Sequence, residues 1–178
     1  EKTETRQLTL SEVLVELSSL YVPDKDFKNA FAGKILKTTQ SRNKRIARYI
    51  LARLERHLCG NEYDMDSDRF NIEHIMPESL SEEWNQIDDL DHELFVYRLG
   101  NLCFLHTGQN RDIGNGGFEK KRPVYAQSEF ALTRRIAEEN SFWNPSRIEQ
   151  HQQWMATQAN TIWRISQFDR KANLPASS

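Results

Sequence analysis

Cysteine is scarce in this chain: Cys59 and Cys103 are its two cysteines, and they form no Cys-x-x-Cys pair. A four-cysteine zinc site is thereby excluded, and a disulfide framework is not expected; two reduced thiols in a cytoplasmic protein are. No apolar run approaches the roughly 20 residues that span a bilayer, and no secretory signal opens the chain, so no membrane partner is expected. Neither sign of charge dominates. The 24 Lys and Arg against 26 Asp and Glu leave a net charge of -2, which argues against a histone-like binder of nucleic acid. A local basic face can still meet a polyanion while acidic residues sit elsewhere. Internal repeats and low-complexity stretches are missing too. So is an initiator methionine: the chain opens Glu1-Lys2-Thr3, which raises the expectation of a longer parent protein.

What is present is an ordinary globular balance, 38% hydrophobic and 28% charged over 178 residues, suited to one domain or to one domain with a helical extension. Thr9 and Glu12 have capping-box spacing ahead of Val13, Leu14, Leu17 and Leu20, which predicts a first helix. Pro23 breaks it, and Phe27, Phe31 and Ile35 follow at four-residue intervals. Residues 42–58 form the clearest helix, with Ile46, Ile50, Leu51, Leu54 and Leu58 as its stripe and Gly60 as its stop. Its Arg42, Lys44, Arg45, Arg48 and Arg53 are either phosphate contacts or a solvated polar face.

After an acidic loop over 61–68 the period changes. Residues 70–75 alternate as a half-buried strand, and Pro77 stops it. Residues 89–98 read as a short helix carrying Leu90, Leu94 and Tyr97 on one side, and 102–105 as a second strand. A polar segment spans 108–117. Helices are then expected from Pro123, over 130–139, and from Pro145 through Trp163, with a disordered tail at 171–178. Trp84, Trp143, Trp154 and Trp163 are expected to pack between helices. The predicted organisation is a helical block (1–60), a strand-bearing core (61–117) and a second helical block (118–170).

The chemistry concentrates in that core. His74 offers a base that titrates near neutrality, and Glu73 beside it offers a hard oxygen. Glu73 with the amide oxygen of Asn110 would make a sparse oxygen site with open positions for water and phosphate. Such donors suit Mg²⁺ or Mn²⁺ better than zinc or nickel. These are the parts that phosphodiester hydrolysis requires. Asn101 either orients His74, pins the loop between the strands, or forms a turn after Gly100. Asn110 is a ligand or a helix cap. Asn115 is a turn residue and weaker substitute ligand, and His106 an alternative ligand that would bring zinc or nickel into play. Arg111, Lys120, Lys121 and Arg122 are candidate phosphate contacts or solvated charges.

Glu73-His74-Ile75-Met76-Pro77, Gly100-Asn101-Leu102 and Asn110, in that order, resemble the ββα-metal motif of HNH (His-Me finger) nucleases. With Arg98-Leu99-Gly100-Asn101-Leu102, the string Asn115–Lys121, Tyr125, Ser128, Phe130 and the segment from Trp143 to Trp163, the chain resembles the C-terminal domain family of GmrSD-type restriction enzymes. The resemblance implies an α+β, mostly helical fold with a ββα-metal finger between helical blocks. It implies metal-dependent cleavage or nicking of DNA, such as modified phage DNA, in bacterial defence, with His74 and Asn101 catalytic and Glu73 and Asn110 on the metal. A preceding nucleotide-hydrolysing domain is implied as partner, and double-strand breaks would need two nicks or a dimer. The alternative is a degenerate nuclease fold that serves as a DNA-binding or regulatory module.

Overall fold

The computed structural model of the protein describes residues 9–18 and 20–165; the tail expected at 171–178 lies outside them. Thr9 and Glu12 close a reciprocal cap, Glu12 N donating to Thr9 Oγ1 (3.3 Å) and Thr9 N to Glu12 Oε2 (2.9 Å). Helix α1 (Leu10–Ser18) grows from it. Helix α2 (Asp24–Ala32) starts directly after Pro23. Helix α3 (Ser41–Cys59) stops at Gly60, whose φ of 78° is left-handed and suits glycine. Strand β1 (Phe70–His74), helix α4 (Asp89–Phe95), strand β2 (Leu102–His106) and helix α5 (Thr107–Ile113) follow. Helices α6 (Phe118–Ala126), α7 (Ala131–Glu139) and α8 (Pro145–Trp163) complete the described chain. None of the described helices is long and apolar enough to cross a membrane.

The fold is α+β and mostly helical, around two antiparallel strands paired from Phe70↔His106 to His74↔Leu102. Because successive strand residues face opposite ways, β2 serves two cores. Leu102 and Phe104 pack with Leu51, Leu54, Phe130 and Met155, while Cys103 and Leu105 pack with Trp84, Tyr125, Ile136 and Trp143. The sheet is thus covered on both sides. The two helical blocks meet around it, α8 packing on α2 and α3.

Several elements differ from the sequence expectation, each for a readable reason. Ile35 does not continue the Phe27–Phe31 face, because α2 ends at Ala32 and Ile35 instead pairs with Arg98 in an isolated bridge. Leu36 N donates to Tyr97 O (2.8 Å) and Leu99 N to Lys34 O (3.0 Å), so this stretch is extended and pinned. The fully buried Gln152 locks it. Gln152 Nε2 donates to Phe31 O (2.8 Å) and Lys34 O (2.9 Å), and Gln152 Oε1 accepts from Gly100 N and Arg98 Nε, both at 3.1 Å.

Pro123 does not begin a helix but lies inside α6. A proline there costs about 3 kcal/mol, and burying the aromatic side chains Phe118 and Tyr125 on that helix gives about 1.5–3 kcal/mol each, enough to carry the helix through. Leu90 and Leu94, read as a packing face, are 66% and 50% exposed, because α4 is held through its Asp88 cap and not through a buried stripe. Leu17 and Leu20 are exposed as well. Trp84 and Trp143 are buried as packing residues, although neither sits on an α-helix.

Arg48 is not a phosphate contact. It is buried, donates to the carbonyls of Ser67 (2.9 Å) and Phe70 (3.1 Å), and stacks 4.9 Å above the Phe70 ring. It ties the acidic loop to α3. Glu55 on the same helix is also buried. Its carboxylate accepts from Ala131 N (2.8 Å) and Leu132 N (2.9 Å), capping α7, whose own N-cap residue Phe130 provides no side-chain acceptor.

Two outcomes follow from these contacts. A Cβ on Gly100 would meet Ile148 O at 2.5 Å and Gln152 Cβ at 2.7 Å, so Gly100→Ala is expected to lower stability by about 1–3 kcal/mol, read as an earlier denaturant midpoint. Burial pushes the Glu55 carboxyl up to about 7, against the Leu132 and Ala131 amides that lower it. The native state therefore keeps this proton to higher pH than the unfolded chain does. Relative to Glu55→Gln, the parent protein should lose stability as pH rises from the ordinary carboxylate range to about 7 and change little beyond. Urea midpoints of both proteins at pH 5 and pH 8 test this.

Candidate active site

His74 is the last residue of β1, and the chain turns sharply after it. Asn101, at the entry to β2, dictates that turn. Its side chain is fully buried and uses its full capacity: Oδ1 accepts from Met76 N (2.8 Å) and Trp143 Nε1 (3.0 Å), and Nδ2 donates to Met76 O (2.8 Å) and Val96 O (3.0 Å). The Asn101 carbonyl adds a bond from Ile75 N (3.0 Å). Of the roles foreseen for Asn101, the geometry is that of pinning the loop; it makes no hydrogen bond to His74.

The His74 ring lies among groups that sequence reasoning did not single out. Its Nε2 is 3.1 Å from Thr38 Oγ1 and 3.7 Å from Glu78 Oε1. The Tyr97 ring stands perpendicular to it, centroids 5.7 Å apart. Nδ1 makes no hydrogen bond among the described residues. Burial, with some help from the Lys121 charge, pulls the imidazole pKa down to about 4, although Glu78 opposes the shift. The ring is therefore neutral near pH 7, and the same burial makes it a weaker base than a free imidazole.

Strand alternation sends Glu73 to the other face. Its Oε1 accepts from Lys121 Nζ and from Tyr125 OH, each at 2.7 Å, and Lys121 Nζ also donates to the His74 carbonyl (3.0 Å). Burial pushes the Glu73 carboxyl up, while the Lys121 ammonium and the Tyr125 hydroxyl pull it back. The same burial and the Glu73 charge hold the Tyr125 hydroxyl well above its ordinary value, so it remains a donor. Lys121 is neither the phosphate contact nor the solvated charge that the sequence suggests. With a side chain 0% exposed, it lies beyond the reach of any phosphate and serves the inside of the fold.

Helix α5 lies against β1 and β2. There Asn110 is half-buried and donates from Nδ2 to the Ile72 carbonyl over a long 3.4 Å. Arg111 next to it is exposed. Lys120 is exposed and paired with Glu83 (2.7 Å), and the exposed Arg122 spends its Nε on Ala137 O (2.9 Å). Asn115 is an exposed turn residue whose carbonyl takes Ser81 Oγ. His106 does not come near Glu73. It pairs with Phe70 while Glu73 pairs with Cys103, which places it about 10 Å along the strand and on the opposite face. Its ring contacts Arg69 O and Glu129 instead, so His106 and Glu73 do not form the zinc or nickel pair that the sequence allowed. Among the described residues no group of three or more His, Cys, Asp or Glu is placed to hold a metal ion.

A family profile described as GmrSD restriction endonucleases, C-terminal domain, matches residues 21–158. The chain belongs to this family. The match runs from just before α2 into α8, so this GmrSD C-terminal domain carries His74, Asn101, Asn110, Lys121 and Tyr125 all within the shared region. No curated protein and no solved structure showed significant similarity to it.

Of the residues that surround His74, Glu78 had a faint signal in its four-residue spacing from the histidine, and Thr38 and Tyr97 had none. Lys121 looked like part of a basic surface run. Its buried role yields a clear expectation: Lys121→Met leaves the Glu73 charge uncompensated and should cost about 3–5 kcal/mol of stability. Thermal unfolding would show this before any assay with DNA.

Proposed function

We propose that this GmrSD C-terminal domain is a divalent-metal-dependent endonuclease of the HNH type that nicks or cleaves DNA as the effector of a restriction system. The observation that carries the reading is His74 at the end of β1, its Nε2 held by Thr38 and its Nδ1 without a hydrogen bond among the described residues, on an antiparallel strand pair against which α5 packs, with α4 in the connection between the strands. A ββα-metal finger likewise needs a strand pair with a helix packed on it, which supports the reading.

The two ligands proposed for the cation fare differently. Asn110 fits, since Nδ2 is turned to Ile72 O and its amide oxygen makes no hydrogen bond among the described residues, leaving a hard donor for Mg²⁺ or Mn²⁺. Glu73 fits poorly, since Lys121 and Tyr125 already hold Oε1 and the ammonium balances its charge. To serve as ligand it would have to exchange that ammonium for the ion. When bound, a divalent cation supplies charge neutralisation at the scissile phosphate and the leaving oxygen.

The chain's own residues supply the rest. His74 takes a proton from the attacking water. Asn101 fixes the turn that aims the end of β1. Arg111, beside Asn110, is the foremost candidate to contact a backbone phosphate. Lys120 and Arg122 are secondary candidates, each already committed to a protein partner. Phosphate contacts of this kind position a duplex without reading its sequence. Recognition of modified phage DNA belongs, in this reading, to a nucleotide-hydrolysing partner domain, and cutting both strands requires two nicks or a pair of sites.

Supercoiled plasmid incubated with the protein in Mg²⁺ or Mn²⁺ tests the proposal. Relaxed or linear product is expected, abolished by a chelator and reduced on the order of 100-fold or more by His74→Ala. Cleavage by His74→Ala at the parent rate would reject His74 as the base, and cleavage surviving the chelator would reject the metal.

A further inference from the structure

Among the described residues, the polar contacts of the His74 ring are all on one nitrogen. Nε2 meets Thr38 Oγ1 at 3.1 Å, and the Glu78 carboxylate sits 3.7 Å from that same atom. Thr38 is buried, and its position is imposed from outside the strand pair. The stretch before it is bonded to the turn ahead of β2, Leu36 N to Tyr97 O and Leu99 N to Lys34 O, and is clamped by Gln152. Tyr97, from the same turn, stands edge-on to the imidazole and closes off another side of it. The histidine is therefore held by the linker between α2 and α3, thirty-six residues away in sequence.

A threonine hydroxyl can donate or accept, so the contact alone leaves the ring's proton open. The carboxylate of Glu78 decides it. A negative charge beside Nε2 favours a hydrogen on that nitrogen, which then donates to Thr38 Oγ1. We propose that Thr38 is a positioning residue, which together with Glu78 holds His74 in the Nε2–H form and thereby makes Nδ1 the atom that accepts the proton of water. The inference rests on the nuclease reading of His74. In the step itself the water proton moves to Nδ1 and the hydroxide oxygen bonds to phosphorus. The bond from phosphorus to the 3′ oxygen breaks, and that oxygen takes a proton from solvent. The imidazolium formed keeps its Nε2–H on Thr38 and its positive charge beside Glu78, so the charge develops where a carboxylate already stands.

The test pairs Thr38→Val, which removes the hydroxyl with little change of shape, with Thr38→Ser, which keeps it. Nitrogen-15 NMR of the metal-free protein, with His74 assigned by its loss in His74→Ala, reads the ring directly. The expected result is a protonated Nε2 and an unprotonated Nδ1 at neutral pH. The Nε2 proton should exchange slowly in the parent and in Thr38→Ser, and fast in Thr38→Val. In plasmid cleavage, Thr38→Val should lower kcat on the order of 10-fold with KM unchanged, part of the 10²–10⁴ a general base contributes, and Thr38→Ser should restore it. An unprotonated Nε2 in the parent, or a Thr38→Val protein with parental proton exchange and parental kcat, overturns the proposal. Should His74→Ala cleave normally, the nuclease reading falls while the NMR result on Thr38 still stands, so the two failures are distinguishable.

Discussion

The side chain of Asn101 is the constraint on which the rest of the site depends. A buried amide that loses a partner costs about 1–3 kcal/mol, and this one has four hydrogen bonds to lose. They run to both backbone groups of Met76, to the end of α4 at Val96, and to the indole of Trp143 just ahead of α8. Few other side chains could satisfy that set, because it requires two donors and two acceptor sites in one plane. The chain direction after His74, the end of the short helix and the start of the long one are consequently fixed by a single residue. The histidine ring inherits its orientation from that turn.

Around this centre the fold repeatedly uses buried polar groups to join segments that hydrophobic contact alone would leave free to slide. Gln152 ties α8 to the end of α2 and to Gly100. Glu55 caps a helix more than seventy residues away. Lys121 bridges Glu73 and the His74 carbonyl. Arg48 gathers the acidic loop against α3. Each of these is a satisfied group in a low-dielectric setting, where geometry is enforced by the cost of leaving it.

Those same groups mark where the sequence was legible and where it was not. The strand at Phe70–His74, the stripe on α3 and the Thr9–Glu12 cap were legible because they rest on local spacing, although the burial of β1 does not alternate as in a half-buried strand, since both faces of the sheet are covered. Lys121 was misplaced because a Lys-Lys-Arg run reads as surface. Which lysine turns inward depends on a carboxylate that lies forty-eight residues earlier. Thr38 carries no local signal because its role arises only when the Lys34–Leu36 stretch pairs with the Tyr97–Leu99 turn. The exposed Leu90 and Leu94 show the converse error, a helical stripe that exists in sequence and stays largely exposed in the fold. Glu73 and Asn110, adjacent in the sequence argument, differ in fact by what already occupies their donor atoms.

Gln152 bonds to Phe31 and Lys34 across more than a hundred residues, and that reach bears on modularity. A strand–strand–helix unit excised as residues 70–113 would leave behind the glutamine that fixes its turn, the threonine that holds its histidine and the lysine that neutralises its glutamate. The surroundings of His74 are therefore not a portable cassette. They are assembled from both ends of the domain, and long loops must close before these side chains meet, which slows folding. The contacts around His74 would then form only once the surrounding helices have docked, so that an incompletely folded chain leaves this histidine unheld.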